Sequence, residues 1–322
     1  SSGSGIAVAA DCVPAALGSD TGGSIRQPAA MCGVTGLKPT HGAVSLAGAM
    51  PLSASLDCIG PLARHARDVA RLHDVVAGPD PADPATFGAP RGACEAAPPG
   101  GEEARRVGEE LAYYREGIDD RVAGALREAE RALASLGASL APSATPDMAR
   151  LNAALHCVLC VEAATLHRRW LTERPQDYAD QVRARIEPGL FYPATRYVEA
   201  LALRGPLCRE WIATVIGDAD CALLPAIPIP VPTIAATTEG APADVAAVIG
   251  RLTHGTRAIN YLGLPAVAVP CGFDTAGLPI AFQLVGRPWS EPLLLRIADA
   301  FQRVTDWHTR RSPHLDSQDT RP

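Results

Sequence analysis

The chain has 322 residues, 47% of them hydrophobic, with a formal net charge of −6 and a pI near 5.8. That length buries a large core as one domain or two, and the acidic balance argues against a nucleic-acid or polyanionic partner. No run reaches about eighteen consecutive apolar residues, and the start lacks the basic-then-apolar layout of a secretory leader, so the expectation is a cytoplasmic chain without membrane association. Nine cysteines, odd in number and irregularly spaced, read as reduced thiols rather than a disulfide framework.

Residues 5–17 are small and apolar and suit a helix packed closely on a sheet, running up to Pro14. Next comes Gly18-Ser19-Asp20-Thr21-Gly22-Gly23-Ser24-Ile25-Arg26-Gln27-Pro28. A serine closing a glycine-rich turn has backbone N–H groups around it that a substrate atom can approach, because glycine carries no Cβ. Such a turn can hold a nucleophile beside an oxyanion hole. No Gly-Lys-Ser/Thr or Gly-x-Gly-x-x-Gly is present, so the phosphate-cradle template fails. The Gly-x-Ser-x-Gly elbow fails too, because Ile25 and Arg26 follow Ser24. Spacing alone leaves a catalytic serine and an ordinary Gly/Ser turn both open.

Gly33 to Leu37 reads as a short buried strand ended by Pro39, and Ala43 to Pro61 as a loop rich in Gly, Ser and Pro. Arg64 to Val76 carries Val69, Leu72 and Val76 at helical spacing. His41, His65 and His73 lack a neighbouring partner motif and read as surface or supporting residues. Residues 78–101 form a Pro/Gly-rich excursion, and 91–111 cannot be assigned. Asp119 to Leu136 is a clear amphipathic helix closed by Gly137, with Val122, Leu126, Ala129, Leu133 and Leu136 on one face. Leu151 to Arg169 is a second helix, on which Cys157-Val158-Leu159-Cys160 reads as a packed face rather than a zinc site; Glu162 and His167, five apart, are not a metal pair. Tyr192 to Val215 continues helically after Pro193, up to Gly217. Asp220 to Pro225 is a short apolar strand before the proline-rich loop 225–232, Ala266 to Pro270 and Ile280 to Val285 pair, and Glu291 to Val304 is the last helix. Residues 308–322 read as a frayed tail. Strands alternating irregularly with helices make the fold class α/β.

The run from Val13 to Ala30, continued by Cys32-Gly33-Val34-Thr35-Gly36-Leu37-Lys38-Pro39-Thr40-His41-Gly42, closely resembles the signature of the amidase signature family. Ser55 to Leu62, Asn260 to Ala266 and Gly277 to Gly286 resemble it as well. The resemblance implies one domain over 1–322, with a large twisted mixed sheet covered by helices on both faces. It also implies a Ser, cis-Ser and Lys mechanism for amide hydrolysis, with Ser24 as nucleophile. The N–H groups of Thr21, Gly22, Gly23 and Ser24 would then form the oxyanion hole. Asp20 and Arg26 would hold the loop through an Asx-type turn bond and a buried charge contact. Asp11 stands where the family usually has glycine.

Aligned back from Ser24 without a gap, the cis serine falls one residue before Ser1; a one-residue deletion places it on Ser1, the candidate carried here. The family's lysine lies far upstream of both serines, whereas the single lysine present, Lys38, follows the nucleophile and reads as structural. The expectation is therefore an N-terminally truncated member, inactive as given for want of its base. Its type reads as a stand-alone amidase acting on a small amide, with no cofactor or metal, no nucleic-acid partner and a possible homodimer. The rivals are the glutamine-hydrolysing component of a tRNA-dependent amidotransferase, whose Arg-Phe-Asp-Gly-Val-Arg-Tyr-Gly-like segment has no counterpart here, and a non-catalytic remnant or binding protein. A fold deprived of N-terminal helices and strands bares apolar surface, so the chain expressed alone is expected to aggregate on size-exclusion chromatography; a monodisperse, cooperatively melting chain counts against this.

Overall fold

The computed structural model describes residues 1–91, 94–95, 106–110 and 112–312, so the excursion at 78–101 and the tail at 308–322 lie partly outside the described residues. The strands are β1 (Ala15–Asp20), β2 (Thr35–Lys38), β3 (Cys58–Ala63), β4 (Arg106–Glu110), β5 (Ser139–Ser143), β6 (Cys221–Pro225), β7 (Ala266–Phe273) and β8 (Pro279–Gly286). They form one mixed sheet in the order β1-β3-β2-β7-β8-β6-β4-β5. Pairing is antiparallel from β1 through β6 and parallel from β6 through β4 to β5. The helices are α1 (Ser2–Ala9), α2 (Arg26–Cys32), α3 (Ala66–Val76), α4 (Asp120–Ser135), α5 (Met148–Glu173), α6 (Asp180–Ile186), α7 (Ala194–Trp211), α8 (Ile234–Thr238), α9 (Pro242–Thr253), α10 (Arg257–Leu262) and α11 (Glu291–Val304).

Both faces of the sheet are covered, which is why its central strands read as continuous apolar runs rather than alternating ones. On one face Val267, Val269, Phe282, Leu284 and Leu223 meet α3, α4 and α11 in a single core. On the other, Ala222, Leu224, Ala266 and Val285 meet α5, α7 and α10, while Ala268 and Ala281 meet Val8 of α1 and Ala29 of α2. The alanines matter: small side chains at 268 and 281 let α2 sit close to the sheet. Helix α5 is 26 residues long and, by length and composition alone, could cross a membrane; here its Leu151, Leu155 and Val158 are buried in the core shared with α7 and α10.

Three sequence expectations are corrected. The first helix covers Ser2–Ala9 rather than reaching Pro14, because Asp11 turns the chain at φ +56°. An aspartate tolerates this left-handed conformation, and its carboxylate ion-pairs with Arg64 at 2.9 Å and Arg311 at 2.8 Å. Residues 15–20 are a strand, their backbone groups satisfied by β3, and β3 itself begins inside the stretch read as loop and runs on to Ala63. The unassigned stretch at 91–111 contains β4, which lies between β5 and β6.

Leu126 is fully buried on α4 beneath the sheet. Leu126→Ala is expected to lower unfolding free energy by about 2–5 kcal/mol in urea titration, whereas Val75→Ala, at an 80% exposed position, stays within about 0.5 kcal/mol of the parent.

Candidate active site

Strand β1 ends at Asp20 and α2 begins at Arg26; the five residues between them form the turn that carries Ser24. Asp20 and Arg26 are both completely buried. The Asp20 carboxylate accepts hydrogen bonds from the backbone N–H of Gly23 (2.6 Å), Ile25 (3.0 Å) and Arg26 (3.3 Å), and from Arg26 Nε (3.2 Å) and Nη2 (3.1 Å). Arg26 also donates to Gln283 Oε1 at 3.0 Å, Thr256 O at 2.9 Å and Asn260 Oδ1 at 2.6 Å. Asn260 Nδ2 returns a bond to Asp20 O at 2.7 Å. Thr256 Oγ1 donates to Gly22 O at 2.7 Å and accepts from Gln27 Nε2 at 2.9 Å. Burial pushes the Asp20 carboxyl up, but the Arg26 guanidinium and the converging donors outweigh it and hold the group at about 2, against an ordinary 3.8.

This knot fixes the turn and decides which of its N–H groups are free. Gly23 sits at φ +126°, and a Cβ built there would stand 2.2 Å from Thr256 Oγ1, so only glycine fits. Its N–H is taken by Asp20, which removes Gly23 from the four donors assigned to an oxyanion hole. The N–H groups of Thr21, Gly22 and Ser24 have no hydrogen-bond partner among the described residues. Ser24 is exposed, and its Oγ has no hydrogen-bond partner among them either.

The remaining candidates lie apart from Ser24 in their bonding. Ser1 Oγ donates to Ser19 O at 2.9 Å and accepts from Ser19 N–H at 2.8 Å, which ties it to the β1 backbone. Lys38 is completely buried, its Nζ donating to Pro39 O at 2.7 Å and lying 3.5 Å from Cys58 Sγ, and burial pushes its pKa down. His41 meets Ala54 O at 3.1 Å, His65 stands edge-on to His308, and His73 is buried on α3.

Sequence reasoning assigned no role to a second set of residues that shapes the turn's surroundings. Thr21 Oγ1 donates to Asp57 Oδ1 at 2.5 Å, and Asp57 Oδ2 accepts from Leu52 N–H at 2.8 Å and Ser53 N–H at 3.0 Å. Glu162 accepts from Ser53 Oγ (2.6 Å), from Ser55 N–H (3.0 Å) and Oγ (2.5 Å), and from Tyr197 OH (2.8 Å). These hydrogen bonds hold its carboxyl below the ordinary carboxylate range against the opposing effect of burial. Asn260, Gln283 and Asp57 lie inside runs that carry the resemblance, so a signal for them was present; Thr256 and Glu162 lie outside those runs.

Residues 1–295 match the profile of the family described as Amidase. The chain belongs to the amidase family. Among relatives, it is 37% identical to the A-type chain of the glutamyl-tRNA(Gln) amidotransferase of Chloroflexus aggregans, over 97% of this chain and 67% of that protein. It superposes with a TM-score of 0.82 and 33% identity on a solved chain described as part of a vestigial protein complex that reveals the evolutionary origins of an s-triazine catabolic enzyme, covering 94% of this chain and 65% of that one. A 6-aminohexanoate cyclic dimer hydrolase solved with its substrate gives a TM-score of 0.80 at 28% identity, over 98% of this chain and 69% of that one. The chain thus spans about two thirds of the length of these amidase-family members.

With its folded pKa near 2, Asp20 contributes stability that is complete above about pH 4 and is lost as pH falls toward 2; the lowering corresponds to about 2 kcal/mol. Asp20→Asn is expected to lose this acid limb and, by leaving Arg26 buried without its counter-charge, to unfold about 3–5 kcal/mol more easily. Urea titrations at pH 3 and pH 6 check both effects.

Proposed function

We propose that the chain carries the nucleophile of a C–N hydrolase that cleaves linear amides through an ester on Ser24. One observation carries the reading: an exposed serine hydroxyl stands at the end of a rigid turn whose Thr21, Gly22 and Ser24 N–H groups lack a partner among the described residues. Ser24 Oγ attacks the amide carbon, and the oxygen that becomes negative takes hydrogen bonds from those three donors. Losing one such donor costs about 3 kcal/mol of barrier. The amine departs with a proton, and water hydrolyses the ester to release the acid and restore Ser24. Residues on the turn supply all of the charge stabilisation in this scheme.

Deprotonation of Ser24 is the step these contacts leave unserved. No described residue hydrogen-bonds to its Oγ, Ser1 is committed to Ser19, and the one lysine is buried against Pro39 and Cys58. General-base assistance contributes about 10²–10⁴-fold, so these 322 residues turn over ordinary amides slowly and react best with activated acylating or phosphonylating reagents. The 37% identity to a chain of a glutamyl-tRNA(Gln) amidotransferase favours a second reading, in which the amide is that of glutamine.

A small alkyl fluorophosphonate tests the reading directly. Intact mass and peptide mapping are expected to show one adduct, on Ser24, absent from Ser24→Ala. No adduct, or one on another residue, overturns it. Release of ammonia from glutamine in preference to other primary amides would select the second reading.

A further inference from the structure

Arg257 opens α10 directly after Thr256, the residue whose hydroxyl binds Gly22 O and whose carbonyl binds Arg26. Its side chain lies over the turn, and a Cβ built on Gly22 would stand 3.5 Å from Arg257 Cγ. Among the described residues this guanidinium has no hydrogen-bond acceptor and no carboxylate at ion-pair distance. Its Nε is buried and unpartnered. The contrast within the molecule is sharp, since Arg26 and Arg115 are paired with carboxylates and Arg287 with backbone carbonyls. Arg204 also lacks a partner among the described residues, but it lies against Gly263 and His41, not against the turn.

Burial works against the Arg257 charge; the nearby Tyr113 favours it and Arg185 opposes it with like charge, while Arg257 in turn helps burial hold the neighbouring His156 in its neutral form. His156 Nδ1 is within 2.9 Å of Tyr192 OH, and Tyr113 stacks on His254 nearby. A part-buried cation is costly unless an anion meets it, and here the described residues provide none. The free end of the guanidinium presents a planar fork that matches a carboxylate in two parallel hydrogen bonds.

We propose that Arg257 binds a carboxylate of the substrate, so that the amide cleaved at Ser24 is the monoamide of a short dicarboxylic acid or a similarly anionic acyl compound. The assignment rests on the reading of Ser24 as nucleophile, because the anion site gains its meaning from lying beside Gly22. In this arrangement the ion pair fixes the acyl chain at its far end and leaves the carbonyl to the Thr21, Gly22 and Ser24 N–H groups.

Titration calorimetry with succinamate and with butyramide, an uncharged amide of the same chain length, tests the proposal on the full chain. Succinamate is expected to bind at least about tenfold more tightly. Arg257→Gln should erase that difference, and Arg257→Lys, which keeps the charge but not the fork, should retain part of it. Equal affinities in the parent chain, a difference that survives in Arg257→Gln, or no binding of either amide overturns the proposal. Phosphonylation of Ser24 without a preference for succinamate removes the anion site alone, whereas a preference without phosphonylation removes the hydrolase reading.

Discussion

The buried ion pair between Asp20 and Arg26 is the constraint on which the rest of the turn depends. Two charges taken wholly out of water are costly, and the pair survives because nearly every lone pair and proton on it is used. The partners come from the β1–α2 turn, from residues 256–260 at the start of α10 and from Gln283 of β8, so one pair joins three stretches of chain far apart in sequence. What it yields is geometry more than stability. It turns Gly23 into the left-handed region, consumes the Gly23 N–H and leaves the neighbouring donors without a partner in the described chain.

The sheet makes that arrangement possible by treating its two faces differently. One face presents large branched and aromatic side chains to α3, α4 and α11. The other presents Ala268 and Ala281 to α2, with Gln283 on the same side of β8 as Ala281 and Val285 by the two-residue period of a strand. Gln283 is the polar residue of β8 on that face. Its amide nitrogen is satisfied by Gly255 O and Pro225 O, and its oxygen receives Arg26. A polar group is tolerated in such a core only when each of its atoms is paired, and here the pairing aims α2.

Around the turn, the loop at 52–57 is held from both sides, by Thr21 through Asp57 and by α5 and α7 through Glu162 and Tyr197. Two carboxylates that the helix pattern alone would leave unremarked therefore hold this loop against Thr21 and against α5 and α7. Electrostatics then divides the site: the carboxylates of Asp20, Asp57 and Glu162 are committed to protein donors, whereas Arg257 beside Gly22 is not committed to any described acceptor. The turn is thus flanked by negative charge already in use and by positive charge still open to a ligand.

The sequence by itself determined the family resemblance, the position of Ser24 and most of the helices, because long 3.6-residue patterns and glycine-rich turns are local properties of the chain. Helix α4 was readable from Asp119 to Gly137 for that reason. It did not determine β1, β3 or β5, whose short stretches lack a clean alternation and become strands only when a partner strand satisfies their backbone groups. Nor did it determine that Gly23 donates inward, that Ser1 is bound to Ser19, or that Lys38 is sealed beside Cys58. Ser1 and Ser19 are 18 positions apart and Lys38 and Cys58 are 20, and the Arg26 that holds Asp20 against Gly23 is itself fixed by Gln283, 257 positions away. Only the tertiary structure brings such residues within hydrogen-bond distance, and it is the exhaustion of donors and acceptors at that distance that decides which groups of the turn remain free for chemistry.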